Sequence, residues 1–253
     1  MIITFLGTGT SQGVPVIACN CSVCQSLDYK DKRLRSSIHI NMNETSIVVD
    51  TGPDFRQQML RENINKLDAI LYTHEHKDHT AGMDDIRSFN FIQKKDIPIY
   101  ARDSVIGQLK KEFAYVFEEI KYPGVPQVSV NILDGNPFKI NNIEIIPVET
   151  LHYKLPVYGF RINNFGYLTD TNYISEKEKE KLRGVEVLVL NALQKEKHIS
   201  HYNLEEALNI IAELQPSKAY LIHMSHKMGK HTDVQATLPN NVYLAYDGLK
   251  IEV

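Results

Sequence analysis

An α/β fold of two packed sheets with helices outside is predicted by three observations. Short apolar runs of strand length fall into two groups, one in each half of the chain. Segments with helical spacing of apolar residues interrupt both groups. No internal repeat, low-complexity tract or linker divides the 253 residues, so one domain over 1–253 is expected.

Residues 2–6 read as the first strand, and residues 37–42 and 45–50 as a hairpin turning at Asn43-Glu44. Residues 53–61 carry Phe55, Met59 and Leu60 at helical spacing. Residues 67–72 are a short apolar run, read as a buried strand. It ends where Thr73-His74-Glu75-His76-Lys77-Asp78-His79 begins. Helices are predicted over 81–91 and 103–117. Lys121-Tyr122-Pro123-Gly124-Val125-Pro126 must be a loop, because Pro removes donors and fixes φ while Gly lets the chain turn. Strands follow over 128–133, 143–148, 157–162 and 165–169, then a helix over 175–183 and a buried strand over 185–190. Asn203-Leu204-Glu205-Glu206 has the residue types of a capping box, with Ala207, Leu208, Ile210, Ile211 and Leu214 continuing an apolar face. Residues 219–222 make one more strand, and two short hydrophobic runs close the chain.

Composition narrows the function. The 28 Lys and Arg against 31 Asp and Glu leave a net charge of −3, so nucleic-acid affinity driven by phosphate neutralisation is not expected. The start, MIITFLGTGT, lacks a basic region and reads as a strand and tight turn rather than a signal peptide. No apolar run approaches a bilayer span. A cytoplasmic protein without a membrane partner is the expectation. The three cysteines, Cys19, Cys21 and Cys24, sit within six residues. Thiolates this close can share one ion but cannot easily pair with each other, so they form a metal-ligand cluster rather than a disulfide framework.

The strongest signal is His74-x-His76-x-Asp78-His79. Neutral imidazoles and a carboxylate are the groups that borderline-soft divalent metals accept. Four of them in six residues cannot all reach one ion from a short loop. Two adjacent ions relieve the crowding, with His74 and His76 turned to one and Asp78 and His79 to the other. A solvated polar loop would not explain four ligand-type residues directly after a buried strand.

This pattern resembles the signature of the metallo-β-lactamase fold superfamily, and the resemblance extends over essentially the whole chain. It implies a four-layer αβ/βα sandwich and, in most members, a hydrolase. Asp50-Thr51-Gly52 resembles the first family motif, in which the Asp supports the metal loop; Asp50 could also be a simple turn-former. His152 in Glu149-Thr150-Leu151-His152, Asp170 in Leu168-Thr169-Asp170-Thr171, and His223 after residues 219–222 fall where further ligands are expected. The resemblance implies His74, His76 and His152 on one metal, Asp78, His79 and His223 on the other, and Asp170 across both. His39, between Ile38 and Ile40, is expected on the opposite side of its strand from them. His198 and His231 read as structural or solvent-exposed.

A narrower resemblance follows from Gly7-Thr8-Gly9-Thr10-Ser11-Gln12-Gly13-Val14-Pro15 and the Cys19-x-Cys21-x-x-Cys24 cluster. Together they are similar to the phosphoribosyl cyclic phosphodiesterases of phosphonate catabolism. That family implies a structural zinc on Cys19, Cys21, Cys24 and His226, and a proton donor at His201, just before the capping box. His198 is the rival donor, and its spacing to the helix start disfavours it. The function so implied is a phosphodiesterase for small, including cyclic, phosphodiesters. It would use two catalytic divalent ions (Zn²⁺, Mn²⁺ or Fe²⁺), with Asp78 and His201 as catalytic residues and a homodimer among the possible assemblies. Relatives in coenzyme PQQ synthesis, thioesterases, lactonases and tRNA 3′-processing endonucleases share the metal motif. The last need an RNA-gripping arm, and no basic glycine-rich insertion is present. A non-enzymatic zinc-stapled module would not need seven further ligands. Residues 91–142 carry nothing tied to a substrate; Tyr115 and Tyr122 suit a pocket wall or the core equally.

Overall fold

The computed structural model describes residues 1–120 and 122–253; Lys121, at the head of the expected loop, lies outside the described residues. One sheet holds β1 (Ile2–Gly7), β2 (Ser37–Met42), β3 (Thr45–Val49), β4 (Ala69–Leu71), β5 (Ile97–Ala101), β6 (Val128–Ile132) and β14 (Lys250–Glu252). Its order is β14-β1-β2-β3-β4-β5-β6, antiparallel from β14 to β3 and parallel from there on. The other holds β7 (Phe138–Ile140), β8 (Ile143–His152), β9 (Leu155–Ile162), β10 (Phe165–Tyr167), β11 (Val187–Asn191), β12 (Lys218–Ile222) and β13 (Val242–Leu244). Its order mirrors the first, antiparallel from β7 to β10 and parallel from β10 to β13.

Alternation builds the layers. Ile3, Phe5, Ile38, Ile40, Ile47 and Val49 point from the first sheet onto Phe160, Ile162, Tyr167, Val189 and Ile222 of the second, forming the central core. The intervening residues face helices. Leu6, Val48 and Ile70 pack with α1 (Phe55–Arg61), α3 (Arg87–Gln93) and α4 (Asp103–Glu112). Leu168, Leu188, Leu190 and Leu221 pack with α6 (Glu176–Leu182), α7 (Leu204–Leu214) and α8 (His231–Gln235). Helix, sheet, sheet and helix give the four-layer sandwich.

Local chemistry explains where prediction and structure differ. The helix expected over 81–91 is divided into a 3-10 turn, Met83–Ile86, and α3. The one expected over 103–117 breaks at Phe113, whose φ of −121° and ψ of 44° separate α4 from the short α5 (Ala114–Phe117). Strand β5 was concealed by Pro98, which sequence rules assign to edges and loops. The second half of the His motif is one helical turn, α2 (Lys77–Thr80), rather than open loop. Among the described residues no helix is long and apolar enough to cross a membrane.

The backbone of this turn docks directly on the end of the first sheet. Thr51 N–H donates to the His79 carbonyl (2.9 Å) and Gly82 N–H to the Thr51 carbonyl (2.8 Å). A Cβ on Gly52 would lie 2.2 Å from the Asp78 carbonyl oxygen, so only glycine permits the approach. Gly52→Ala is therefore expected to destabilise by roughly 1–3 kcal/mol, as overpacking does. Urea unfolding of the variant measures this, and an unchanged midpoint would mean that the turn can move away.

The outer face of β1 to β3 borders a cavity of about 550 Å³ lined by Thr4, His39, Asn41 and Ser46 among others. His39 does face away from Ile38 and Ile40, and its Nε2 lies 2.8 Å from Ser46 Oγ. Burial, helped by Lys250, pushes its imidazole down to about 4. A folded value below the unfolded one near 6.5 means stability is intact at neutral pH and lost as pH falls from about 6.5 toward 4. Between pH 7.5 and 5 the wild type is expected to lose about 1–2 kcal/mol more than His39→Gln. Equal losses in chemical denaturation would remove His39 as the cause.

Candidate metal centre

Strand ends gather the site. Asp50 follows β3, His74 lies three residues beyond β4, His152 ends β8, Asp170 lies three residues beyond β10, and His223 follows β12. Asp50, Asp170 and His223 have positive φ, at 64°, 53° and 56°. Left-handed backbone is costly for most side chains and least so for Asn, Asp and His. These positions therefore carry residues suited to the backbone as well as to ligand chemistry.

The side chains converge in adjoining groups. The ligand atoms of His74, His76 and His152 lie within 4.8 Å of one another, and so do those of Asp78, His79, Asp170 and His223. Asp170 links them: its Oδ2 is 3.1 Å from His79 Nε2 and 3.1 Å from His223 Nδ1, and it also groups with His152 and His201. His79 Nε2, His223 Nδ1 and His201 Nδ1 are buried without a hydrogen-bond partner. Short distances without hydrogen-bond alignment mean these nitrogens are aimed past the carboxylates rather than at them.

The far side of each ring is anchored. His79 Nδ1–H donates to Asp50 Oδ2 at 2.7 Å. His152 Nδ1–H donates to the Ser200 carbonyl at 2.8 Å. Thr73 gives its hydroxyl proton to Asp50 Oδ2 (2.8 Å), so its oxygen accepts from His74 Nδ1 (2.9 Å). Each bond sets the orientation of its ring and turns Nε2 toward the interior, the arrangement metal-binding imidazoles use. His223 is turned the other way, with Nε2 on Thr10 Oγ1 at 3.2 Å and Nδ1 inward.

Electrostatics point to a cation. Burial pushes His74 well below the ordinary imidazole value, and lowers His76 and His223 as well, keeping them neutral. Burial acts the same way on His79, but Asp78, Asp170 and Asp50 outweigh it and hold its proton well above the usual range. Burial would raise the Asp78 and Asp170 carboxyls, yet the surrounding histidines hold both well below the carboxylate range. The negative field that retains a proton on His79 is the field a divalent ion would meet.

A second donor set lies on the N-terminal loop. His226 Nδ1 is 3.2 Å from Cys19 Sγ, 3.4 Å from Cys21 Sγ and 3.6 Å from Cys24 Sγ. One ring nitrogen cannot serve three thiols, whereas three sulfurs and one nitrogen are the donors of a closed tetrahedral zinc site. The backbone N–H of Cys24 lowers the Cys21 thiol to about 6, while burial raises Cys24 to about 11. This loop is also joined to the first centre: Thr10 N–H donates to the Met224 carbonyl (3.2 Å) and Met224 N–H to the Thr8 carbonyl (3.0 Å).

Every residue expected at the two centres is thus brought to one or the other, with Asp50 beneath the first. His201 lies beside it, ring centroid 4.5 Å from that of His152, and burial pushes its imidazole down to about 3. His198 is exposed and His231 buried. Tyr115 gives its hydroxyl to Asp84 and Tyr122 is solvent-exposed. Thr10, Thr73, the Ser200 carbonyl and Asn172 had no reading of their own as site residues. Thr10 and Thr73 carried a signal, their places in the Gly-rich motif and at the head of the His cluster.

Comparison with known proteins agrees with this geometry. A family model described as a beta-lactamase superfamily domain matches residues 45–224. The solved structure of a new diphosphatase from the PhnP family superposes with a TM-score of 0.94 at 37% identity, covering 100% of this chain and 97% of that one. An octanoyltransferase of Porphyromonas gingivalis is 36% identical over 248 residues, 97% of this chain but 50% of the relative. An exodeoxyribonuclease, YycJ, of Bacillus anthracis is 25% identical over 171 residues, 61% of this chain and 57% of the relative. The chain thus spans about half the length of these curated relatives. With its four-layer sandwich and its strand-end histidines and carboxylates, the chain belongs to the metallo-β-lactamase superfamily and resembles the PhnP family within it.

Proposed function

We propose that this protein is a dinuclear metal-dependent phosphodiesterase acting on small phosphodiesters, cyclic esters and diphosphate diesters included. The observation that carries the reading is the convergence of seven nitrogen and carboxylate donors into two groups joined at Asp170, with unpartnered buried nitrogens aimed inward. These donors fit two divalent ions, and the sulfur set fits one structural zinc. Phosphoryl rather than oxidative or thioester chemistry is supported by the full-length likeness to a diphosphatase and the partial one to an exodeoxyribonuclease. The octanoyltransferase name belongs to a protein of which half is unmatched, so acyl transfer is not carried over to this centre.

Two ions bound here would supply Lewis acidity, activating water and neutralising charge on the phosphoryl oxygens. His74, His76 and His152 would hold one and Asp78, His79 and His223 the other, with Asp170 between. Asp78 is the least buried of the carboxylates in the cluster, and it orients the attacking water or takes its proton. His201 protonates the departing alkoxide. Burial lowers that imidazole's hold on a proton, which makes its charged form a strong acid toward a basic alkoxide.

Two expectations follow. Elemental analysis should find three metals per chain, and mild chelation should remove the catalytic pair and activity before the thiolate-bound ion, because closed thiolate sites exchange slowly. Fully active protein with two metals and freely titratable thiols would overturn this assignment. For His201→Ala, kcat on an alkyl phosphodiester should fall roughly 10²–10⁴-fold, the usual share of a general acid. A p-nitrophenyl ester, whose leaving group needs no proton, should lose far less, with metal content unchanged. Equal losses on both esters, or a lost metal, would reassign His201 to phosphate positioning or coordination.

A further inference from the structure

Three loops that carry centre residues each expose one large side chain. Tyr153 follows His152 at the turn between β8 and β9 and is 49% exposed. Tyr173, three residues beyond Asp170, is 53% exposed, and Ile199, two residues before His201, is 68% exposed. Single exposed apolar groups need no explanation. The main chains of these three, however, are tied together by one buttress. Asn172 Oδ1 accepts the Tyr153 N–H (2.7 Å), and its Nδ2 donates to the Ile199 carbonyl (3.2 Å). The Leu151 N–H donates to the Tyr173 carbonyl at 3.0 Å, closing the ring of loops around His152, Asp170 and His201. Lys154 Nζ lies 5.4 Å from the Tyr153 ring centroid, adding a cation to the same rim.

We propose that Tyr153, Tyr173 and Ile199 form a subsite for a nucleobase on the half of the substrate that departs beside His201, an assignment that rests on the phosphodiesterase reading above. The leaving half must lie on the His201 side, because its oxygen takes the proton there. What that side offers is two half-exposed phenol rings and a branched aliphatic group, on loops whose main chains are tied together. Flat aromatic faces bind bases of any identity by stacking, and the neighbouring ammonium suits a nucleotide's phosphate. A bare sugar phosphate would leave both rings without a partner.

The test is calorimetric titration of the metal-loaded protein with adenosine 5′-monophosphate and with ribose 5-phosphate, in which an anomeric hydroxyl replaces the base. The wild type is expected to bind the nucleotide about tenfold more tightly, within the range base–aromatic stacking supplies. The preference should fall to about onefold in Tyr153→Asn/Tyr173→Ala, where Asn tolerates the φ of 58° at position 153. Equal affinities in the wild type, no binding of the nucleotide, or a preference retained in the variant would each overturn the subsite. Turnover of bis(p-nitrophenyl) phosphate is measured alongside. No turnover with the preference intact would sink the phosphodiesterase reading and leave the base subsite standing; turnover without the preference would do the reverse.

Discussion

A carboxylate with no access to water must be given donors by the protein, and Asp50 is given three. Its partners are the Thr73 N–H at 2.8 Å, the Thr73 hydroxyl at 2.8 Å and His79 Nδ1 at 2.7 Å. Burial still holds its carboxyl above the ordinary value, so the desolvation is only partly offset. The site depends on this one anion. It draws the chain leaving β4 across the end of β3, turns His79 inward directly, and turns His74 inward through the Thr73 hydroxyl. Metal-binding geometry on the first sheet is thus a by-product of satisfying a buried charge.

The second sheet is brought into register differently, by main chain. Residues 8 and 10 pair with Met224, the residue after His223, while residues 9 and 14 pair with the strand-like segment at 33–34. Gly7 and Gly9 allow this contact: a Cβ on Gly7 would lie 1.9 Å from the Arg35 carbonyl oxygen. The Cys loop and His226 then fasten the same two segments a second time, within a few residues of His223. A polar loop with little apolar surface to bury, where Val14, Val23 and Cys24 are the buried apolar members, is held instead by these main-chain bonds and by the three thiols gathered within 3.6 Å of His226 Nδ1.

Much of this was legible because its signals are local. The His74–His79 cluster is contiguous and follows a buried strand, and the Asn203–Glu206 capping box forms as its residue types require, with Glu206 N–H on Asn203 Oδ1 at 2.8 Å and Asn203 N–H on Glu206 Oε2 at 3.0 Å. What stayed hidden is long-range or backbone-borne. Thr10 is 213 residues from His223, and a carbonyl such as that of Ser200 has no sequence signature at all. Pro98 masked β5, and no proline or glycine marks the divisions at Arg87 and Phe113 within the helices over 81–91 and 103–117.

The left-handed backbone at Asp50, Asp170 and His223 restricts how such a centre can drift. Asp170 sits there with its Oδ2 3.1 Å from both His79 Nε2 and His223 Nδ1, so exchange for Glu would keep the charge while moving the carboxylate a methylene further from that backbone. Among residues with a donor side chain, those least penalised by such a backbone are Asp, Asn and His. Evolutionary retuning toward another metal would then run through the groups behind the rings, such as Thr10, Thr73 and the Ser200 carbonyl, whose backbones are not held to that choice.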